Sequence, residues 1–396
     1  MYVEKLSKSS MELEESNMKN SLGTITLLYM NSLIENIYDA CTCCYDNTKP
    51  LTYIQKKEYI KRRVDAGHVS VLEHGRMCVY FKNVVGYQDE LIELTTMEPS
   101  TDLTFETITN ADGSIDLFII GNMRFFKYFV NNISPDMYEG NIFVRHIVRL
   151  LFVNTPRELY GKEVNKYGFI NEKDFCDVEP FIPNHMLENP REGLHYCSVK
   201  DKALAMPTTN KDVHKSITLG IDNDALDTLM LSDIPSYIVY KIIPVTIVFR
   251  NPSRTCTHEI VRHRNAITQE SQRYVSANEA TFTVPVPDYD RDKKYNISLF
   301  GNTVSVSLDD LATELLKVYP QLINQGLKKE EARGYLPHNI NCKRLYMTFS
   351  LEQIFRFIHL RTDPHAQYEI RQYANTIKDI IEHITGLNSE LAAQTI

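Results

Sequence analysis

The chain has 396 residues, 43% of them hydrophobic, which is enough for a packed core in one large or two ordinary domains and too much for disorder to be the default. With 43 basic residues against 51 acidic the net charge is −8, so no global positive field recruits nucleic acid and any anion site has to be local. No apolar run approaches the roughly 18 residues needed to cross a bilayer, and residues 1–22 form a polar leader without the apolar centre of a signal peptide, so a soluble, cytoplasmic protein is expected.

Residues 24–44 carry apolar positions at helical spacing, and Lys56 to Ala66 is a charged helix that ends at Gly67. The eight cysteines show no disulfide framework; Cys41 and Cys44 have no second pair at zinc-site spacing and read as small apolar groups on the first helix. His68, Ser70, Glu73 and His74 then form a polar cluster in front of a buried strand, Cys78 to Phe81. Taken alone, that cluster is as well read as a turn capped by His68 and Ser70. Residues 87–236 read as an insertion, partly strand and helix (Ile115 to Ile120, then Gly121-Asn122 into a helix) and partly surface loop from Pro180 to Asp224. The stretch Phe118 to Phe129 echoes Tyr346 to Phe357, each a strand followed by an amphipathic helix, over too short a span to count as a repeat.

Tyr240 to Phe249 reads as a strand with Pro244 marking a bulge or edge, and Ser253 caps a helix predicted over Arg254 to Ile267. On that helix Arg262, Asn265 and Gln269 would share one face. Thr281 to Val286 alternates like a half-buried strand. Leu308, Leu311, Leu315, Val318 and Leu322 make one helical stripe, kinked at Pro320 and ending at Gly326; a short helix, Glu330 to Pro337, exposes Arg333. Ser350 to Gln353 has capping-box spacing and opens a helix ending at Arg361, and Asp363-Pro364 starts a final helix, His365 to His383.

The densest chemistry is Arg262 to Tyr274, where every cation is Arg or His. Arg offers the planar fork that suits phosphate or carboxylate, whereas Lys offers a point charge. His258-Glu259 and His263 are one residue too far apart for a zinc-protease motif, and the chain contains no G-x-S-x-G, P-loop or G-x-G-x-x-G. Cys256 is in helical phase with the core, so no nucleophile stands out. What remains is a set of hydrogen-bond and anion sites, which fits phosphorylated ligands whose own atoms carry the chemistry. Solvated surface arginines and polar caps are the plain alternative.

At these residues the chain resembles the flavin-dependent thymidylate synthases. Arg262-His263-Arg264 and Ser271-Gln272-Arg273-Tyr274 match the family signature, with six residues between Arg264 and Ser271 where the family has seven. His68-x-Ser-x-x-Glu-His74, Glu331-Ala-Arg-x-x-Leu-Pro337, and Arg361 followed by His365-Ala-Gln-Tyr-Glu-Ile-Arg371 match its other blocks in order. The resemblance covers residues 23–86 and 237–386, leaving 87–236 as the insertion and 387–396 as a tail. It implies an α+β fold, an antiparallel sheet with flanking helices, assembled as a homotetramer with shared active sites. It also implies FAD as redox cofactor, methylenetetrahydrofolate as one-carbon donor, NADPH as reductant, and conversion of dUMP to dTMP.

By position, Ser70, Arg262, His263, Arg264 and Gln269 would contact FAD, with His68 and Glu73 nearby. Glu259, Arg262, Gln269, Glu270, Ser271, Gln272, Arg273 and Arg333 would line the dUMP site, and Arg361 would engage the uracil ring as the catalytic residue. Where many members have Asn and Arg for flavin contacts this chain has Ser350 and Glu352, so Arg356 is the candidate to remake that contact. These departures keep a second reading open, a catalytically impaired flavin- or nucleotide-binding protein of the same fold. The abundance of Asn, Ile, Lys and Tyr suits an AT-rich, viral gene, which would place the protein in a host cytoplasm.

Overall fold

The computed structural model describes residues 10–12, 23–45, 50–96, 103–161, 197–198, 216–272, 290 and 292–394. The chain divides into two compact units: Met1–Cys41, Lys49–Gly193 and Asp224–Pro244 form the first, and Thr42–Thr48, Leu194–Asn223 and Val245–Ile396 the second.

The first unit is built on β1 (Ser10–Glu12), β2 (Thr24–Met30), β3 (Arg76–Val84), β4 (Thr104–Thr109) and β5 (Ile115–Asn122), in the order β1-β2-β3-β5-β4 with antiparallel neighbours. Strand β3 is central and reads as a nearly continuous apolar run because both of its faces are covered. Its helices are α1 (Leu33–Tyr45, whose residues from Thr42 belong to the second unit), α2 (Tyr53–Asp65), α3 (Gln88–Thr96), α4 (Met123–Asn132), α5 (Pro135–Gly140), α6 (Ile142–Asn154), α7 (Asn223–Met230) and α8 (Ser236–Ile242). Phe81, Phe126, Phe143 and Ile25 lie at the centre of its core.

Residues 24–44 are not one helix. Ile25 and Tyr29 are buried on strand β2, and Asn31 ends the strand by donating to His74 O (3.0 Å) and accepting from Arg76 N (2.9 Å) before α1 begins. Strand β5 and α4 fall where the sequence places them, with Asn122 Oδ1 accepting from Phe125 N at 3.0 Å as the N-cap.

The second unit carries β6 (Cys197–Ser198), β7 (Ser216–Ile221), β8 (Pro244–Arg250), β9 (Ala266–Gln269) and β12 (Arg344–Ser350) in the order β6-β7-β8-β12-β9, and a separate hairpin, β10 (Tyr295–Leu299) with β11 (Asn302–Val306). Its helices are α9 (Arg254–Ile260), α10 (Leu308–Leu316), α11 (Val318–Asn324), α12 (Lys329–Ala332), α13 (Leu351–Arg361), α14 (Tyr368–Thr385) and α15 (Ser389–Gln394).

Several expectations are corrected here. The stretch read as loop up to Asp224 contains strand β7. Residues 236–242 wind as helix, and β8 starts at Pro244, a first-strand position where the missing N–H costs no ladder bond. The helix expected to reach Ile267 stops at Ile260, tightens into a 3₁₀ turn over Val261–His263, and reverses at Arg264 (φ 51) into β9. Arg262, Asn265 and Gln269 therefore share no helical face. The stripe from Leu308 breaks at Lys317; Pro320 lies in the first turn of α11, where no intrahelical N–H bond is lost. The last helix starts after Gln367, whose Oε1 accepts from Ile370 N at 3.1 Å, while Asp363 holds a turn through His365 N. The strand expected over 281–286 lies outside the described residues.

Candidate functional site

The second unit concentrates its polar chemistry where α9 ends, β9 begins and α13 ends. Ser253 caps α9: its Oγ accepts from Cys256 N at 3.1 Å, and the fully buried Glu369 of α14 accepts from both Ser253 N (2.9 Å) and Ser253 Oγ. A buried carboxylate is tolerated there because both oxygens receive donors at a helix N-terminus. This anchors the helix that carries Glu259.

At the far end of α9, Arg361 closes a three-way contact. Its Nε donates to His263 Nε2 (2.9 Å), its Nη1 to Glu259 Oε2 (2.9 Å) and its Nη2 to the Glu259 carbonyl (3.3 Å). The Arg361 and Glu259 side chains are only 20% and 22% exposed. His263 lies edge-on to Phe357 with ring centroids 4.9 Å apart. Burial first, and the Arg361 charge second, push its pKa down to about 4, so at neutral pH the ring is uncharged and Nε2 is free to accept. Three of the five guanidinium N–H groups are thus used among the described residues, leaving two on a fork that these bonds orient.

The turn between them is fixed from α13. Gln353 Nε2 donates to Asn265 Oδ1 at 2.9 Å, while Gln353 Oε1 accepts from Ser350 N at 2.8 Å in the capping box. Arg264 takes the left-handed backbone that lets β9 pair antiparallel with β12, Gln269 facing Leu345. Arg262 and Arg264 are exposed. Gln269 ends the strand with its Oε1 buried and without a partner among the described residues, a shortfall that costs about 1–3 kcal/mol unless a ligand donor fills it.

The other expected residues are placed differently. Glu270 is buried; its carboxylate accepts from Lys343 N (2.8 Å) and its carbonyl from Arg254 Nη2 (3.0 Å). Ser271 and Gln272 are half-buried, Ser271 N bonding Cys44 O at 3.2 Å, and Arg273 lies outside the described residues. Arg333 donates to Glu330 O within its own turn (3.2 Å), and exposed Arg356 pairs with Glu352 one helical turn away (2.9 Å). In the first unit, His68 and Ser70 are exposed, and Glu73 forms an ion pair with Arg124. His74 is fully buried, and burial pushes its pKa down to about 3. Sequence reasoning assigned no role to Glu369, Arg254 or Arg124. Glu369 lies inside the His365-to-Arg371 block, which was the available signal; the Glu73–Arg124 pair spans 51 residues and leaves no periodic trace.

Residues 206–385 match the family model described as thymidylate synthase complementing protein. The matched segment is a little under half of the chain. The flavin-dependent thymidylate synthase of Pyrococcus furiosus is 35% identical over 127 residues, which are 31% of this chain and 48% of that protein. The flavin-dependent thymidylate synthase of Mycolicibacterium gilvum is 31% identical over 150 residues, 36% of this chain and 59% of that one. The chain spans about half the length of the curated relatives it matches. A UMP/dUMP methylase PolB from Streptomyces cacaoi, solved with 5-Br UMP, covers 51% of this chain and 93% of its own at 22% identity; its TM-score of 0.31 is too low to carry an argument. The three-way contact of Glu259, His263 and Arg361 lies wholly within the family segment.

Proposed function

We propose that this protein methylates dUMP reductively to dTMP, taking the carbon from methylenetetrahydrofolate and reducing power from NADPH through FAD, as a homotetramer. The observation that carries the reading is the Arg361 fork, held by Glu259 and neutral His263 inside the family segment. Its two remaining N–H groups suit the carbonyl edge of a uracil ring, where they would stabilise negative charge during attack from C5. The orphaned Gln269 Oε1 suits an N–H donor of such a ring, and exposed Arg262 and Arg264 suit phosphate. FAD, when bound, supplies the redox chemistry; Arg262 and Arg264 would hold its phosphates or those of the nucleotide. His263 has no charge to add to theirs, so Arg361 stays oriented by acceptors instead of being repelled.

A second reading, flavin or nucleotide binding without turnover, is favoured by Glu352, a carboxylate where the resemblance expects an arginine; Arg356 neutralises it locally. Two measurements separate the readings. A visible spectrum of FAD-loaded protein that shifts on adding dUMP, together with tritium release from C5-labelled dUMP given methylenetetrahydrofolate and NADPH, supports turnover. A spectral shift without tritium release supports the second reading, and neither signal sinks both.

A further inference from the structure

The two sheets correspond strand by strand. β1-β2-β3-β5-β4 and β6-β7-β8-β12-β9 have the same form: the strand leading into the capped helix lies third from one edge strand and next to another that precedes it in sequence. The registers agree as well. Ile25 faces Phe81 and Leu27 faces Val79 in the first sheet; Ile217 faces Phe249 and Leu219 faces Ile247 in the second. The segments involved read Thr24-Ile-Thr-Leu27 and Ser216-Ile-Thr-Leu219, with Asn31 and Asn223 at the same distance beyond. On the other side, Leu117 faces Thr107 and Ile119 faces Phe105, while Leu345 faces Gln269 and Met347 faces Ile267.

The centre closes consistently with both flanks. Cys78 faces Ile120 in the first sheet, and the residues that the flanks make their counterparts, Thr246 and Thr348, touch through their hydroxyls at 3.3 Å in the second. With one flank aligned on Thr24-Ile-Thr-Leu27 against Ser216-Ile-Thr-Leu219 and the other on the two helix caps, the centre is the independent check, and a slip of one residue there would exchange buried for exposed faces. The correspondence continues into the helices. Asn122 and Ser350 occupy the same place and cap alike, accepting from Phe125 N (3.0 Å) and Gln353 N (3.2 Å).

The same alignment locates what differs. In sequence, the three residues at the same count before β4 as Arg262, His263 and Arg264 are before β9 read Ser100, Thr101 and Asp102, which lie outside the described residues. Counting on from β5 as from β12, the place of Arg361 is taken by Ile133, which is 1% exposed. The family model correspondingly matches only 206–385.

We infer that the first unit is a second copy of the fold of the family segment, a copy in which the arginine turn and the clamp arginine have been replaced, so that the chain holds one nucleotide site for two copies of the fold. The copy relationship rests on the sheets alone; the ligand named for the single site rests on the function proposed above.

Two experiments on the full chain decide it. In an experimental structure, residues 24–27, 79–82, 104–107 and 117–120 should superpose on 216–219, 247–250, 266–269 and 345–348, and a different strand order or register in either sheet overturns the copy relationship. In equilibrium dialysis of FAD-loaded protein with radiolabelled dUMP, one dUMP should bind per chain, and binding should be lost when Arg262 and Arg264 are both changed to Ala. Two dUMP per chain, or binding that survives the double substitution, overturns the single site. Absence of any binding by the wild-type chain sinks the nucleotide reading, while the superposition still decides the duplication.

Discussion

Where the central sheet gives way to a helix, the two units use one cap and opposite charges. In the first, Asn122 caps α4 and Arg124, two residues on, reaches Glu73 in the turn before β3. In the second, Ser350 caps α13 and Glu352, two residues on, is held by Arg356 on the same helix. The first corner uses its arginine to tie together segments distant in sequence. The second keeps its ion pair local and carries its important arginine at the other end of the helix, against Glu259 and His263. The two corners thus share their backbone capping and differ in where they place their forked cations.

The comparison breaks most visibly at Arg361. Arg361→Ala is expected to lower tritium release by on the order of 100-fold or more with an unchanged circular dichroism spectrum, and Arg361→Lys should not restore it, because an ammonium cannot bridge His263 and Glu259 as a fork does. A wild-type rate in either variant would reduce the clamp to a structural ion pair. Next in size is Glu369→Ala, which strands two buried donors of Ser253 and should cost about 2–4 kcal/mol in urea unfolding.

Acid should separate the histidines from ordinary ones. Because His263 and His74 are pushed down to about 4 and about 3, the unfolded chain takes up their protons first as pH falls. Their contribution is fully present above about 6.5 and is lost as pH drops through each folded value, and His263→Asn should flatten the part of that loss between pH 6.5 and 4. Matched caps provide a finer test: Asn122→Ala and Ser350→Ala should each cost about 1 kcal/mol, and a clear inequality would argue against equivalent corners. Smallest of all, Arg356→Ala removes a pair whose arginine is 60% exposed and whose Glu352 is 13% exposed, and should change stability by less than about 1 kcal/mol.

Much of this was legible in the chain. The capping box at Ser350, the strand over Ile115 to Ile120 and the helix that follows Gly121-Asn122 are read from local chemistry, and the structure agrees. The arginine stretch stands out in the sequence as a dense cluster of forked cations, but the helix expected to carry it ends at Ile260. Ala266 and Thr268 alternate over only four residues, too few to show a strand's period beside a helix, and nothing local announces that a non-glycine residue, Arg264, will turn the chain at positive φ. The helix predicted over residues 24–44 failed for a related reason, since a strand and a helix separated by two polar residues read as one apolar run. The short echo between Phe118 and Tyr346 was visible in sequence, yet its meaning required registers, which depend on partners more than one hundred residues apart in the second sheet, as Thr246 and Thr348 are.

The neutral histidine and its carboxylate neighbour bear on selectivity. Arg361 already has a counter-ion in Glu259, so what it offers a ligand is a hydrogen-bonding edge and almost no net field. Arg262 and Arg264, with no carboxylate in ion-pair range among the described residues, offer field and little fixed shape. Ionic strength should therefore divide the two: at about 0.15 M salt, where charges are screened over roughly 8 Å, the grip on a phosphate weakens while recognition of the base edge persists. A nucleoside lacking phosphate would then bind feebly but with almost no dependence on salt.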